Sequence, residues 1–188
     1  MNKDAVDVVK VSYTSGDYLA DNAKAPVFLI NNIMETDSHG IIGGQSMAFK
    51  SFLALAMARS ICTGDDFMGN KVYMTGPVAY VCGEGMGALG RRMRALKETL
   101  GGFDENLIII DSPFLINDKD AMQIFKNTLK EINPVLVIFD TLSSLTNFGN
   151  ENDNAEVSAC LSLIKETCRS DQNTSSIVVH HMGKDAKS

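Results

Sequence analysis

The chain has 188 residues, of which 45% are hydrophobic and 21% are charged, and its formal net charge is −6. This length and composition indicate one compact domain with its own core and exclude collagen-like, low-complexity and disordered proteins. The excess of acidic residues disfavours a protein that coats duplex DNA through bulk electrostatics. The charge does not exclude a protein that contacts nucleic acid only through one loop or groove.

The sequence shows no sign of a membrane or secreted protein. No apolar run approaches the roughly 20 residues that cross a bilayer, and the first residues lack a basic stretch followed by an apolar one. The four cysteines, at positions 62, 82, 160 and 168, have no paired spacing. We therefore expect a cytoplasmic protein without a membrane partner, whose thiols are reduced.

The apolar pattern predicts strands that alternate with helices along the chain. Residues 1–25 are polar and aperiodic and are predicted to form a peripheral arm, which precedes one domain over 26–188. The predicted strands cover residues 28–30, 40–43, 78–82, 107–110, 135–139 and 177–179, and the predicted helices cover 50–62, 89–100, 121–132 and 157–168. The first of these helices is apolar on nearly every side, which predicts burial between other elements. The alternation predicts an α/β fold with a mostly parallel sheet and helices on both faces.

The strongest functional signal is the segment GGQSMAFKS, which lies between a predicted strand and a predicted helix. Counted back from Lys50-Ser51, Gly44 takes the first position of the P-loop motif GxxxxGK[ST]. In such a loop the backbone N–H groups surround a phosphate chain, the lysine contacts the outer phosphates and the serine hydroxyl binds Mg²⁺. The predicted nucleotide contacts are Gly44, Gln45, Ser46, Met47, Ala48, Phe49, Lys50 and Ser51.

Phe49 departs from this motif, because a glycine at its position often adopts a backbone conformation that a bulky residue resists. On this motif alone, a strand–turn–helix with an incidental Lys-Ser pair remains open. A second signal comes from Asp140, which follows the apolar strand 135–139 at the edge where parallel sheets bind ligands. Asp140 is predicted to hold Mg²⁺ through a water. Together the two signals predict a site for ATP and Mg²⁺.

These segments together resemble the RepA-type ATPases of plasmids and phages, which belong to the RecA-like P-loop class that includes hexameric replicative helicases. The resemblance covers roughly residues 26–185 and rests on the segments GGQSMAFKSFLALAMARSICTG, GPVAYVCGEGMGALGRRMRAL, VLVIFDTLSS, ENDNAEV and IVVHHMGKD. Phe49 fits this family better than other P-loop proteins, because several of its members carry Phe before the lysine. The resemblance implies a DNA-dependent ATPase of replication or recombination, active as a hexameric ring or a filament on single-stranded DNA.

The resemblance also implies roles for residues beyond the P-loop. Glu84, between two glycines, would polarise the attacking water. This role is coherent with the residues, since Thr141 rather than a glutamate follows Asp140, although a solvated turn is the alternative. In the family, a polar residue at the end of the last predicted strand senses the γ-phosphate. We favour His181 for this role and expect His180 to be a further nucleotide contact; adjacent strand residues face opposite ways, which disfavours a metal site on the pair.

Three further features have more than one interpretation. The acidic stretch 151–153 matches the family but also suits a solvated loop. The basic residues of the helix over 89–100 fit a solvated face, a subunit contact or a nucleic-acid contact; they are Arg91, Arg92, Arg94 and Lys97. The family places an arginine finger from a neighbouring subunit after the last strand, yet no arginine follows Arg169. We therefore expect a domain that is truncated or incomplete at its C-terminus, with a DNA-contacting loop that begins near Gly183.

Two other functions compete with a DNA motor. A nucleotide-dependent loading or assembly protein with little turnover would suit Phe49 and the missing finger. A P-loop kinase for a small molecule has a similar loop, but the sequence shows no arginine-rich lid.

Overall fold

The computed structural model of the protein describes residues 12–111, 114–147, 154–169 and 174–181. In chain order the elements are α1 (Gly16–Asp21), β1 (Phe28–Ile30), β2 (Met34–Glu35), β3 (His39–Gly44), α2 (Lys50–Thr63), β4 (Val78–Cys82), α3 (Met86–Leu100), β5 (Leu107–Ile110), α4 (Lys119–Ile132), β6 (Leu136–Asp140), a 3₁₀ turn (Ser143–Leu145), α5 (Asn154–Cys168) and β7 (Ser175–His181).

Five strands form one parallel sheet in the order β3-β7-β6-β4-β5, and β1 and β2 form a separate antiparallel pair. The last strand, β7, lies between the P-loop strand β3 and the strand β6 that ends at Asp140. The predicted phosphate sensor, His181, therefore ends a strand that lies between the P-loop strand and the strand of Asp140. The predicted α/β fold with a parallel central sheet is confirmed.

Helices cover both faces of this sheet, because each buried strand directs alternate side chains to opposite sides. On one face, α2 and α3 pack against residues such as Ile138, with Leu55 fully buried between them and the sheet. On the other face, Phe125 of α4 and Ile164 of α5 cover Phe139. The continuous apolar stretch in β6 is therefore buried on both sides, as its sequence predicts.

The segment predicted to be an aperiodic arm contains a helix instead. α1 begins after Ser15, whose hydroxyl accepts a hydrogen bond from the backbone N–H of Tyr18, and all of its residues are at the surface. A six-residue helix without an apolar stripe leaves no periodicity in the sequence, so the pattern could not reveal it. The strand β2 and the 3₁₀ turn escaped prediction because each has only two or three residues.

The largest error in a strand boundary concerns β7, which extends two residues further at each end than predicted. Its first residues are Ser175 and Ser176, which are fully buried although they are polar. Their hydroxyls have local partners, since Ser176 lies 2.8 Å from the Nδ1 of His39 and Ser175 donates to the carbonyl oxygen of Glu35. Hydrogen bonding satisfies these buried hydroxyls, which is why a polar pair can begin a central strand.

The four cysteines are free thiols, as expected, and three of them are buried. Burial raises the pKa of Cys62 to about 11 and that of Cys168 to about 12, so both thiols are protonated at neutral pH. Among the described helices, none has both the length and the apolar character that a membrane span requires.

Candidate nucleotide-binding site

A cavity of about 480 Å³ opens at the carboxyl edge of the sheet, where β3, β4, β6 and β7 end. Its lining comes from the loop and first helical turn over 46–52, from three residues at or just beyond other strand ends, Glu84, Thr141 and His181, and from Arg92 of α3. The edge is the place where parallel sheets bind ligands, because crossover connections leave a crevice there. The structure thus gathers segments that are up to about 130 residues apart in the sequence, as the Lys50–His181 contact shows.

The loop between β3 and α2 has a left-handed backbone at two residues that are not glycine. Met47 has φ of 63° and Phe49 has φ of 55°, and Phe49 is the residue that immediately precedes α2. The conformation that favours glycine is therefore present at position 49, at a cost on the order of 1–2 kcal/mol for a residue with a side chain. The Phe49 ring is 74% exposed, so the substitution places its bulk in solvent rather than in the loop.

Lys50, the first residue of α2, is buried and directs its ammonium group back to the loop. Its Nζ donates to the carbonyl oxygens of Gly44 at 3.1 Å and Gln45 at 2.7 Å, and it lies 3.1 Å from Nδ1 of His181. Because an ammonium group can only donate, that ring nitrogen is the acceptor. His180 precedes His181 on the strand and faces the other side of the sheet, so the structure gives no support to its predicted nucleotide contact.

Asp140 ends β6 and is almost completely buried, with 2% of its surface exposed. Its Oδ1 accepts a hydrogen bond from the Ser51 hydroxyl at 3.0 Å, and its Oδ2 accepts one from the Tyr80 hydroxyl. Burial is the main influence on the pKa of Asp140 and raises it, while the two hydrogen bonds oppose that rise. A serine hydroxyl and a carboxylate at hydrogen-bond distance offer oxygen ligands of the type that Mg²⁺ takes, so these residues fit the predicted ion.

Glu84 lies in the turn that follows β4, and β4 is the strand next to β6. The backbone N–H of Gly83 donates to the carbonyl oxygen of Asp140 at 2.8 Å, which ties this turn to the end of β6. The side chain of Glu84 accepts a hydrogen bond from Arg92 of α3 at 2.8 Å, and the two side chains are 27% and 25% exposed. Burial is the largest influence on the pKa of Arg92 and lowers it, but the hydrogen bond and charge of Glu84 outweigh it and the pKa is raised.

Gly83 permits this turn to approach the segment after β6. A Cβ at position 83 would lie 2.7 Å from the Cβ of Ser144 and 3.0 Å from the Cγ of Leu145. Any side chain at this position would therefore force the turn before Glu84 and the segment after β6 apart. Beside them, the buried Thr141 places its hydroxyl 2.9 Å from that of Ser144.

Sequence analysis gave no role at this site to Arg92 or Tyr80. Arg92 belongs to a basic run that suggested a solvated helix face; Arg91 and Arg94 are indeed exposed, whereas Arg92 lines the cavity. No spacing rule distinguishes Arg92 within that run. Tyr80 lies within the predicted strand 78–82, and nothing in the strand pattern gives it a role at the site. The sequence did contain one indication of a polar contact here, because the hydroxyl of a buried tyrosine normally requires a hydrogen-bond partner.

Two predictions fall outside the described residues, namely the acidic stretch 151–153 and the loop that begins near Gly183. The predicted incompleteness of the domain stays a prediction. Within the four described ranges, no group of three or more His, Cys, Asp or Glu residues is placed to hold a metal ion.

The comparisons with known proteins agree with this geometry. No curated protein matches the sequence at a significant level. A family model described as an AAA domain matches residues 12–187, which includes the P-loop, Glu84, Asp140 and His181. Since the match spans nearly the whole chain, the protein belongs to the AAA domain family of nucleotide-binding P-loop ATPases.

Proposed function

We propose that the chain is a Mg²⁺-dependent ATPase motor domain that acts on single-stranded DNA, as a replicative helicase or recombination ATPase of the RepA type. One observation carries the hydrolytic part of this proposal. The cavity is lined by Lys50 of the P-loop segment, by Ser51, whose hydroxyl donates to the buried carboxylate of Asp140, and by a second carboxylate from the end of a different strand, Glu84. A second, accessible carboxylate is what hydrolysis needs in addition to binding.

The first requirement is that the loop binds and orients the phosphates. The N-terminus of α2 presents backbone N–H groups and the positive end of its dipole to the cavity. Lys50 already directs its charge there, and on binding it would exchange the carbonyl oxygens of Gly44 and Gln45 for phosphate oxygens. Such a charge-assisted contact contributes about 1.5–3 kcal/mol.

In this arrangement one carboxylate would serve the metal ion and the other would serve the attacking water. Ser51 and Asp140 would hold Mg²⁺, which when bound neutralises charge on the phosphate oxygens. Glu84 would accept the proton of the attacking water, since it lines the cavity and is only partly buried. Arg92 holds the Glu84 carboxylate through one of its two oxygens and leaves the other available.

His181 is suited to report the state of the phosphates. It contacts the ammonium group of Lys50 and stands at the end of the strand between β3 and β6. A change in the position of Lys50 on hydrolysis would therefore reach His181 directly. The residues that follow His181 in the sequence would then respond to the nucleotide, and in the proposed motor they contact DNA.

The DNA substrate and the assembly rest on the resemblance to RepA-type ATPases. We propose a ring, most simply a hexamer, in which a neighbouring subunit supplies an arginine to the γ-phosphate. Such arginines contribute on the order of 10³–10⁵ in rate. A net charge of −6 gives the chain no general attraction for DNA, so the contact would be local and dependent on assembly.

A loading protein with little turnover is the second candidate, and one specific observation favours it. The loop holds two residues other than glycine, Met47 and Phe49, in left-handed conformations, and such strain can be relieved when the loop changes shape on binding. A loop that changes shape in this way suits a protein that signals nucleotide occupancy rather than one that cycles rapidly.

ATP hydrolysis by the full chain, measured with and without single-stranded DNA, tests the proposal. The motor predicts turnover that DNA stimulates and that Lys50→Ala abolishes. Binding of ATP without turnover in either condition would select the loading protein, and turnover that requires a small acceptor would select a kinase. A monomer that turns over faster than about 1 s⁻¹ without DNA would contradict the proposed assembly, because that rate is typical of a complete enzyme.

A further inference from the structure

Tyr80 is a buried tyrosine of β4 whose hydroxyl group contacts Asp140. The ring has no exposed surface and belongs to the core cluster that α2 covers. The hydroxyl donates to Oδ2 of Asp140, while the Ser51 hydroxyl donates to Oδ1 at 3.0 Å. The two oxygens of this carboxylate therefore have different partners, which come from different elements.

The contact crosses two adjacent parallel strands. The register pairs Tyr80 with Ile138 and Cys82 with Asp140, so the Tyr80 ring must reach two residues along the sheet to meet the carboxylate. A long side chain with a donor at its tip is needed for this reach. The surrounding core is apolar, and phenylalanine would fill the same volume, so packing alone does not account for a hydroxyl group at this place.

We propose that Tyr80 is a positioning residue, which fixes the rotation of the Asp140 carboxylate so that Oδ1 stays directed to Ser51 and the Mg²⁺ position. The inference rests on the proposed function, because it assigns Asp140 to the metal. Rotation of the carboxylate about its Cβ–Cγ bond would break the hydrogen bonds to Tyr80 and Ser51 together. The two donors therefore hold one orientation of a group that is otherwise free to turn.

Replacement of Tyr80 by phenylalanine isolates this role. The ring and its packing remain, while Oδ2 of Asp140 loses its donor inside the core. Only the Ser51 hydroxyl then restrains the plane of the carboxylate, which can rotate about Cβ–Cγ, so the orientation that binds metal is less populated. We expect the gain in ADP affinity that Mg²⁺ provides to fall about tenfold, which is the loss typical of one hydrogen bond to a charged group. The affinity for ADP in EDTA should not change, because the phosphates contact the loop and Lys50.

The experiment is calorimetric titration of the full chain with ADP, once in excess Mg²⁺ and once in EDTA, which requires no turnover. Val81→Ala is the matched control, since Val81 is equally buried one residue further along β4 but faces the opposite side of the sheet. Val81→Ala should lower the midpoint of thermal unfolding at least as much as Tyr80→Phe does, while both hydrogen bonds to Asp140 remain. A third protein carries Tyr80→Phe together with Asp140→Asn.

The inference is supported if Tyr80→Phe lowers the ratio of the two affinities about tenfold, Val81→Ala leaves the ratio unchanged, and Tyr80→Phe adds nothing when Asp140→Asn is present. It is overturned if Tyr80→Phe keeps the ratio of the unmodified chain, if Val81→Ala lowers it equally, or if the effects of the two site changes simply add. A chain that binds ADP in EDTA but gains no affinity from Mg²⁺ before any substitution overturns the proposed metal site itself, and this inference with it.

Discussion

The ends of β6 and β4 lie side by side in the sheet, yet they present their carboxylates in different ways. Asp140 at the end of β6 is buried and has a donor on each oxygen. Glu84, just beyond β4, is partly exposed and has one arginine on one oxygen. A carboxylate that is fixed and desolvated suits a metal ion, whereas one with a free oxygen and access to water suits proton transfer. The difference in environment is the basis on which we propose the two roles.

The largest effect that this comparison predicts is at the end of β4. Glu84→Gln keeps the size of the side chain and its hydrogen bond to Arg92 but removes the basic oxygen. We expect ATP turnover to fall by about 10²–10⁴-fold, as for the loss of a general base, with nucleotide affinity unchanged. Steady-state hydrolysis and calorimetric binding on the same preparation measure both quantities. Near-normal turnover would return Glu84 to the role of a solvated turn residue.

The next effect concerns the phosphates, on which both carboxylates depend. Lys50→Ala removes the ammonium group from the cavity and should weaken nucleotide binding by about 1.5–3 kcal/mol, a factor of roughly 10 to 150. Because Lys50 also contacts His181, thermal unfolding of the free variant shows whether the fold is intact. Unchanged affinity by calorimetry would reject the loop as the phosphate site.

Gly83 sets the distance between the two strand ends. Gly83→Ala would bring a methyl group within 2.7 Å of Ser144, so we expect a loss of about 1–3 kcal/mol in the free energy of unfolding and reduced turnover. Gly90→Ala is the control, because position 90 is inside α3 and a Cβ there meets nothing within 4 Å. That change should stabilise the protein by about 0.5–1 kcal/mol. Chemical denaturation of both variants measures the contrast, and equal stabilities would contradict the close approach.

The smallest effect is expected at Arg92. Its ion pair with Glu84 is partly exposed, and pairs of this kind contribute up to about 1 kcal/mol, so Arg92→Met should lower turnover no more than about fivefold. Arg91→Met, the neighbouring exposed arginine, should leave turnover unchanged. Hydrolysis rates at low and high salt measure the effect, which should shrink as salt screens the pair. A loss as large as that of Glu84→Gln would instead make Arg92 a direct phosphate contact.

The fold could be predicted from sequence to a greater extent than the site. The continuous apolar run of β6 and the helical periodicity of α4 are strong signals, and right-handed crossovers restrict the topologies that this order of elements can form. Lys50, Ser51 and Asp140 could also be identified from the sequence, because the binding of phosphate and Mg²⁺ requires these residue types at the ends of particular elements. Tyr80 and Arg92, the partners of the two carboxylates, could not be identified from the sequence. Their contacts depend on the register between β4 and β6 and on the rotation of α3 about its axis, which only the packed structure fixes.

The division of roles between the two strand ends can be tested with one paired titration. Nucleotide affinity is measured against Mg²⁺ concentration for Asp140→Asn and Glu84→Gln, with the unmodified chain as reference. We expect that Asp140→Asn loses the gain in affinity that Mg²⁺ provides, while Glu84→Gln keeps it in full. Loss of that gain in Glu84→Gln, or its survival in Asp140→Asn, would contradict the assignment of the metal to β6 and of the water to β4.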